Sequence, residues 1–511
     1  MNRNWLVIKL LIALVLASCA GPVQVAPQSA PEVDMQLPAN PAEEEAQTVA
    51  TEFPTEALVP EPAVAAIPTV AQVVPTQPVS TAPLAESVLL ASENRKEGLY
   101  ELHAVNPATG LDIAGYGPIN LGRSFSYTVS PDRKTLAVLA YPAESNYKDG
   151  VLHLIDLQNW RETATPLVAH IYANLMAFSP DGARLAIAFT NFYKTHRLAL
   201  VDVASQTATA QIELSFPPSL LEFAQAGPSN DSLALVAYGS GGSHDLNPEP
   251  RATLFDPANL NVVWELALPQ ILDGAYGKEG SEHIDRGFWR PAVVLSSDRS
   301  KLYIVHPDED IFTTVDLASG TAAAVDIKPP QSWLEQLLAL TAGVAHAKML
   351  NGTLKDAVLS PDGSRLYVTG QTTVTTKNSS GQYESSVTPL GLQMIDPLSG
   401  TEIEHVVTEA NELSISADGA RLYLRQGWEE QWTDVMNAST LEVVARVQGR
   451  GLYPGFRLGG GPVLFGPARD YSSQGQTDMA VLDPETLEPL HIWMIQGYAR
   501  WIGTPYRALH K

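Results

Sequence analysis

Leu359–Gly370 reads LSPDGSRLYVTG, and the fold follows from what this stretch does and how often it returns. Pro361 presets the backbone for a tight turn, Asp362 can accept from its own downstream backbone, and Gly363 takes a positive φ at no steric cost. Leu366, Tyr367, Val368 and Thr369 then alternate as a half-buried strand requires. Clear copies of this strand–turn–strand unit stand at Val129–Asp132, Phe178–Gly182, Leu295–Asp298 and Ile415–Gly419, with degenerate ones near Gly227–Asp231 and Gly459–Pro462.

A second token alternates with the first: a short apolar strand that ends in Asp or Asn and runs into a turn. It stands at Leu154–Asp156, Leu200–Asp202, Thr314–Asp316, Met394–Asp396 and Val481–Asp483, with weaker forms ending at Asn106, Asp256 and Asn437. One period therefore holds strand a, a Ser-Pro-Asp-Gly-like turn, strand b, a variable loop, strand c ending in Asp, a tight turn and strand d. Such a unit, repeated every ~40–60 residues, is what a β-propeller blade requires. No blade can bury both faces of so small a sheet alone, and radial packing covers them while leaving only short edges. The expected fold is an all-β propeller of four-stranded antiparallel blades. The run Arg365–Gly370 resembles the repeat of the YVTN-type β-propellers, relatives of WD-repeat and bacterial surface propellers. The resemblance covers most of the chain after residue 86, although several blades lose the Pro or Gly of the turn. It implies the fold, and only loosely implies binding rather than catalysis.

The N-terminus reads differently. Arg3 stands before, and Lys9 within, an apolar run from Leu6 to Ala17. At about a dozen residues it is too short for a spanning helix, which needs ~20, and it reads as a secretory signal. It ends at Leu16-Ala17-Ser18-Cys19, which resembles the bacterial lipobox. That resemblance implies cleavage before Cys19 and acylation of Cys19, several acyl chains giving stable attachment where one would be marginal. Cys19 is the sole cysteine of the 511 residues, which excludes intramolecular disulfides and Cys-based metal clusters. Residues 20–86 are rich in Pro, Ala, Val, Thr and Gln, hold no Lys or Arg and carry nine acidic residues. They cannot bury enough apolar surface to offset their ordering entropy, and read as an extended tether. The expected organisation is a signal peptide over 1–19, a tether over 20–86, the propeller over 87–504 and a tail over 505–511. The location that follows is the cell envelope, on the outer leaflet of the cytoplasmic membrane or on the outer membrane, with the propeller outside the cytoplasm.

Within the propeller the tokens start out of phase. Ser87–Ala91 and Leu99–Val105 read as b and c, with d near Leu111–Gly115. Seven fuller units follow, and Tyr498–Gly503 is the right size for an a strand. Pairing it with Ser87–Ala91 closes the ring and gives eight blades, with seven as the alternative. In an a-b-c-d meander the a–b and c–d turns lie at one end, and the b–c loops and d–a connections at the other. The long insertions all fall in the second set: Gly239–Pro250, Thr372–Pro389, Gln270–Pro291 and Lys328–Lys355. Loops on a rigid scaffold are where binding usually resides. That end carries the candidate contacts Tyr276, His283, Arg286, Phe288, Trp289, Arg290, Trp333, Trp428, Trp432 and Tyr471, of types that anchor interfaces, although each could instead pack an insertion onto the ring. Ser332–Leu350 reads as a short amphipathic helix with Ser332 as N-cap.

No HExxH, EF-hand loop or GxSxG elbow appears, and the Gly-rich run Gly239–Gly242 opens no helix. His244-Asp245 and His283–Asp285 could meet as a metal site, but solvated loop histidines are the reading adopted, and no cofactor is expected. Asp308-Glu309-Asp310 reads as a hairpin tip rather than a Ca²⁺ site. The net charge of −24 divides as +2 in the signal, −9 in the tether and −17 in the rest, which argues against nucleic acid and anionic lipid as direct partners. The expectation is a monomeric, membrane-anchored binding module whose partner is an unknown protein, peptide or glycan. The alternatives are a lactonase-like or quinoprotein dehydrogenase-like propeller enzyme and a structural scaffold of an envelope complex.

Overall fold

The computed structural model describes residues 79–503 apart from 95–97, 142–149, 168–171, 191–194, 227–232, 242–246, 278–286, 329–349, 378–381, 427–431, 449–450 and 470–475. In chain order, β1 (Val88–Asn94), β2 (Leu99–Val105) and the first part of β3 (Ile119–Val129) belong to blade 1. The second part of β3 opens blade 2, which continues with β4 (Thr135–Tyr141), β5 (Gly150–Asp156) and β6 (Arg161–Leu167). Blade 3 is β7 (Tyr172–Phe178), β8 (Arg184–Thr190), β9 (His196–Asp202) and β10 (Thr207–Leu214). Blade 4 is β11 (Pro218–Gln225), β12 (Leu233–Gly239), β13 (Arg251–Phe255) and β14 (Val262–Ala267). A two-stranded insertion, β15 (Gly274–Tyr276) and β16 (Gly287–Trp289), precedes blade 5. That blade is β17 (Ala292–Leu295), β18 (Lys301–Val305), β19 (Ile311–Asp316) and β20 (Thr321–Asp326). Blade 6 is β21 (Leu350–Leu359), β22 (Leu366–Lys377), β23 (Tyr383–Ile395) and β24 (Glu402–Val406). Blade 7 is β25 (Ala410–Ile415), β26 (Arg421–Gln426), β27 (Trp432–Asn437) and β28 (Val443–Gln448). Blade 8 is β29 (Tyr453–Phe456), β30 (Pro462–Arg469), β31 (Gln476–Leu482) and β32 (Pro489–Gln496), and β33 (Ala499–Ile502) returns to blade 1.

The Ser-Pro-Asp-Gly token folds as one device. At Ser360 the hydroxyl donates to Asp362 Oδ1 at 2.6 Å and accepts from the Arg365 N–H at 2.9 Å, while Asp362 accepts from the Ser364 N–H at 3.0 Å. The same bonds recur from Ser130, Ser179, Ser296 and Ser416. The residue after the Asp is left-handed in every copy: Gly182, Gly363 and Gly419 where glycine is kept, Arg133 and Arg299 where it is lost. At the other token, Asn106, Asp156, Asp202, Asp256, Asp316, Asp396, Asn437 and Asp483 end eight c strands. Each is followed four residues on by a left-handed residue.

Eight apolar clusters among the described residues decide the blade number, because each is shared by two neighbouring blades. Leu89, Leu102 and Phe125 pack with Leu136 and Ile155 across blades 1 and 2. The pairing continues blade by blade. The last cluster joins Val463, Phe465 and Val481 of blade 8 to Val88, Leu90 and Trp501 of blade 1. The ring is closed and has eight blades, not seven. Each buried Leu or Phe in these seams contributes about 1.5–3 kcal/mol relative to exposure. Closure is by β33 on β1, in the register Leu89↔Ile502, Leu90↔Trp501, Ala91↔Arg500 and Ser92↔Ala499. Trp501 stacks on Phe465 with centroids 4.8 Å apart and meets Trp493 edge-on at 5.1 Å.

Four expectations are revised. The segment expected as strand d of blade 1 makes isolated bridges, Asp112 to Val105 and Ile113 to Ser80, and the main pairing with β2 comes from Ile119–Gly122. The connection from β2 to β3 is thus longer than the other c–d turns, an exception to the uniformly short set. Residues 79–86, assigned to the tether by composition, belong to the ring: the Ser80 N–H donates to Asp112 O at 2.7 Å, and Ala82 and Leu84 pack on the blade 1 core. Finally, Thr372–Pro389 is not a loop but the prolongation of β22 and β23, paired up to Lys377↔Tyr383. The expected helix over 332–350 falls almost wholly outside the described residues.

Candidate functional site

Strand order places every b–c loop and d–a connection at one end of the ring. The densest described cluster there is built on the insertion between blades 4 and 5. Leu268 and Ile271, both buried, pin its start, with the Leu268 N–H donating to Pro250 O at 2.8 Å. The stem then pairs Gly274↔Trp289, Ala275↔Phe288 and Tyr276↔Gly287. The Tyr276 ring stands edge-on to Trp289 at 5.5 Å. Its hydroxyl donates to Pro248 O at 3.0 Å and accepts from the Asp273 N–H at 3.1 Å, which ties the stem to the b–c loop of blade 4. A further clamp is Asn247, whose N–H donates to Ala275 O at 2.9 Å.

On its other side the stem is stitched to blade 6. The Arg290 N–H donates to Thr353 O and the Lys355 N–H to Arg290 O, each at 2.9 Å. This approach needs a residue without a side chain at 352, since a Cβ on Gly352 would lie 2.4 Å from Phe288 O. The stem so held presents Phe288, 45 % exposed, with Trp289 and Arg290 half-buried beside it. Among the described residues the Arg290 guanidinium makes no hydrogen bond or ion pair; its positive charge acts on Asp273.

Beneath the stem lies a set of buried ionisable groups. Burial pushes the Asp273 carboxyl up to about 7, partly offset by the Tyr238 and Ser240 hydroxyls and the Arg290 charge. Tyr238 is wholly buried, its hydroxyl lacks a well-formed hydrogen bond, and burial raises it well above the usual phenol range. Buried Lys355 of β21 donates through Nζ to Glu309 O, in the b–c hairpin of blade 5, at 3.0 Å. Burial pulls that amine down against the opposing charges of Asp310 and Asp308. The hairpin tip, weighed from sequence as a cation site, is thus served by a lysine. His306, also buried, holds Thr313 Oγ1 at 2.8 Å through Nε2, has no partner at Nδ1 among the described residues, and is held below the usual imidazole range by burial. No group of three or more His, Cys, Asp or Glu is placed to hold a metal among the described residues.

Of the residues expected at this end, Tyr276, Phe288, Trp289 and Arg290 come together. Trp432 stands apart on blade 7, under the Arg446 guanidinium at 4.9 Å, with Arg446 in turn bound to buried Asp434 at 2.6 Å. It serves blade packing. His283, Asp285, Arg286, Trp333, Trp428, Tyr471, His244, Asp245 and Cys19 lie outside the described residues. Asp273, Tyr238, His306 and Lys355 were not singled out from sequence. The hint available was a polar residue breaking an apolar strand pattern, as Lys355 does in β21.

No family model matches this chain, and no curated protein matches it in sequence. Solved structures do. Dihydro-heme d1 dehydrogenase NirN, in complex with DHE, is 13% identical, with 84% of this chain and 77% of that one covered and a TM-score of 0.49. Hydrazine synthase of Kuenenia stuttgartiensis is 14% identical over 72% of this chain and 94% of that one, with a TM-score of 0.35. The β-propeller domain of Cps50 (Swd1) from Myceliophteria thermophila is 12% identical over 74% and 97%, with a TM-score of 0.38. These are likenesses of fold only. The propeller assignment rests on the strand order and the eight shared cores described above.

Proposed function

We propose that this chain is a lipid-anchored, extracytoplasmic propeller that binds a protein, peptide or glycan partner through its long-loop end, with Phe288, Trp289 and Arg290 as the contact. One observation carries the reading: an exposed aromatic ring and a guanidinium without a hydrogen bond or ion pair among the described residues sit side by side on a stem braced by blades 4 and 6. Aromatic and Arg side chains on a rigid support are the usual anchors of interfaces. Connectivity supports the rest. The chain joins the ring through residues 79–87 among the short turns, where the Leu458 N–H donates to Ser87 O at 2.9 Å.

The test is a photo-reactive residue at position 288 in intact cells, with a matching probe at Leu398, which is 77% exposed in a short c–d turn. Partners captured at 288, absent at 398 and lost with Arg290→Ala, are the expected result. Equal capture at both positions would count against the site. For the anchor, fatty-acid labelling should disappear in Cys19→Ser, and labelling that persists would remove that part of the reading.

A further inference from the structure

We propose that the stem β15–β16 is a proton-operated clasp: a protonated Asp273 side chain keeps it seated between blades 4 and 6, and loss of that proton releases it together with Phe288, Trp289 and Arg290. The inference rests on the binding reading above for its purpose, but not for its mechanism or its test.

The placement of Asp273 makes the argument. Its side chain lies within the fold, 7% exposed, at the root of the stem. It immediately precedes Gly274, which has a φ of +111° and sits where a Cβ would lie 2.9 Å from Pro248 Cγ. The groups that face it come from every element packed there: Tyr238 from β12, Ser240 from the segment after it, Tyr276 from β15 and Arg290 from beyond β16. Asp308, in the blade 5 hairpin, adds a negative charge near Tyr276. Among the described residues only Arg290 offers a positive charge, and it does not outweigh burial. An ionised Asp273 is consequently held under a seated stem at a cost, which lifting the stem into water removes.

The sign follows. In the seated state the carboxyl keeps its proton to about 7, whereas in water it would titrate near its ordinary 3.8. Between those values the seated state binds a proton that the released state does not. Seating is therefore strongest in acid, weakens as pH rises through this window and is level above it. Among the described residues the bonds that seat the stem are few: the N–H groups of Asn247, Arg290 and Lys355, the Tyr276 hydroxyl, and the Asn247 side-chain amide paired with the Gly277 main chain. A local opening can break them without opening the ring.

The experiment is hydrogen exchange of the full chain at pH 5 and pH 8, corrected for intrinsic exchange, read at the Asn247, Arg290 and Lys355 amides. The Leu89 amide in the closure strand reports on the ring itself. Protection at the three stem amides should fall at least ten-fold at pH 8, with Leu89 unchanged. Asp273→Asn, neutral at every pH, should hold the pH 5 level throughout, and Tyr276→Phe should lower protection at both values. Equal stem protection at pH 5 and pH 8 in the wild type would overturn the proposal without any variant. So would a pH dependence that survives in Asp273→Asn. Because the readout needs no partner, failure here leaves the binding reading standing, and failed capture at position 288 leaves the clasp untouched.

Discussion

The hydroxyl of Tyr127, on the inner strand of blade 2, donates to the main-chain oxygen of Trp501 at 2.8 Å across 374 residues of sequence. The bond spans the seam where β33 joins blade 1, on the same residue that stacks against Phe465 of blade 8. Three blades therefore meet on one tryptophan. Tyr127→Phe should cost about 1 kcal/mol, the net worth of one hydrogen bond, and Trp501→Ala about 3–5 kcal/mol. Ending the chain after Gln496 should do more than either, since it leaves β1 with an open edge. Denaturant midpoints check all three, and a truncated chain with the full-length midpoint would contradict closure.

Acid should loosen the short-turn end first. The Ser hydroxyls and turn amides hold Asp132, Asp181, Asp298 and Asp418 below the usual carboxylate range, and Asp362 at about 2. A depressed folded value means stability that is present above the unfolded value, 3.8, and lost as pH falls through the folded one. Thermal midpoints should thus decline from pH 4 downward, and Ser360→Ala should shrink that decline while costing about 1 kcal/mol at neutral pH. A flat profile between pH 5 and pH 2.5 would show that these turns contribute nothing.

Lys355→Ala should leave the Glu309 carbonyl without its donor and the Asp308–Asp310 tip without its buried cation. A loss of about 2–3 kcal/mol is expected, with faster amide exchange over residues 306–311. Unchanged exchange there would mean that the hairpin stands without the lysine.

Gly352→Ala should act on the insertion rather than on the blades. A methyl 2.4 Å from Phe288 O forces β16 away from β21 and breaks the Arg290–Thr353 and Lys355–Arg290 bonds. Exchange at Arg290 should rise as in a released stem, at pH 5 as well as pH 8, while the ring melts within about 1–3 kcal/mol of wild type. By contrast Phe288→Ala, at an exposed position, should leave stability nearly unchanged, within about 1 kcal/mol, and weaken only partner capture.

The blades were legible because their turns have a fixed chemistry. Eight Asx residues at the ends of c strands, weak and strong together, count the blades correctly even where Arg133 and Arg299 have replaced the turn glycine. The extensions of β22 and β23 escaped notice for a physical reason: residues 384–389 are exposed, so no apolar alternation marks them. Within the site, Tyr276, Phe288, Trp289 and Arg290 lie on one insertion and were found together. Asp273 and Lys355 were not, because their character comes from burial against Tyr238 in another strand and Glu309 in another blade. Trp432, an aromatic at a loop boundary, stands apart from that cluster under the Arg446 guanidinium of its own blade.

Sharing one sheet between the two ends of the chain has a consequence for biosynthesis. Blade 1 remains three-stranded, with β1 unpaired along one side, until Ala499–Ile502 is made. Seven blades can assemble in order of synthesis, but the eighth waits for a contact of very high sequence separation, the slow kind to form. Prematurely terminated chains should therefore carry a sticky border that a finished molecule lacks, which gives quality-control proteases a simple mark by which to tell the two apart.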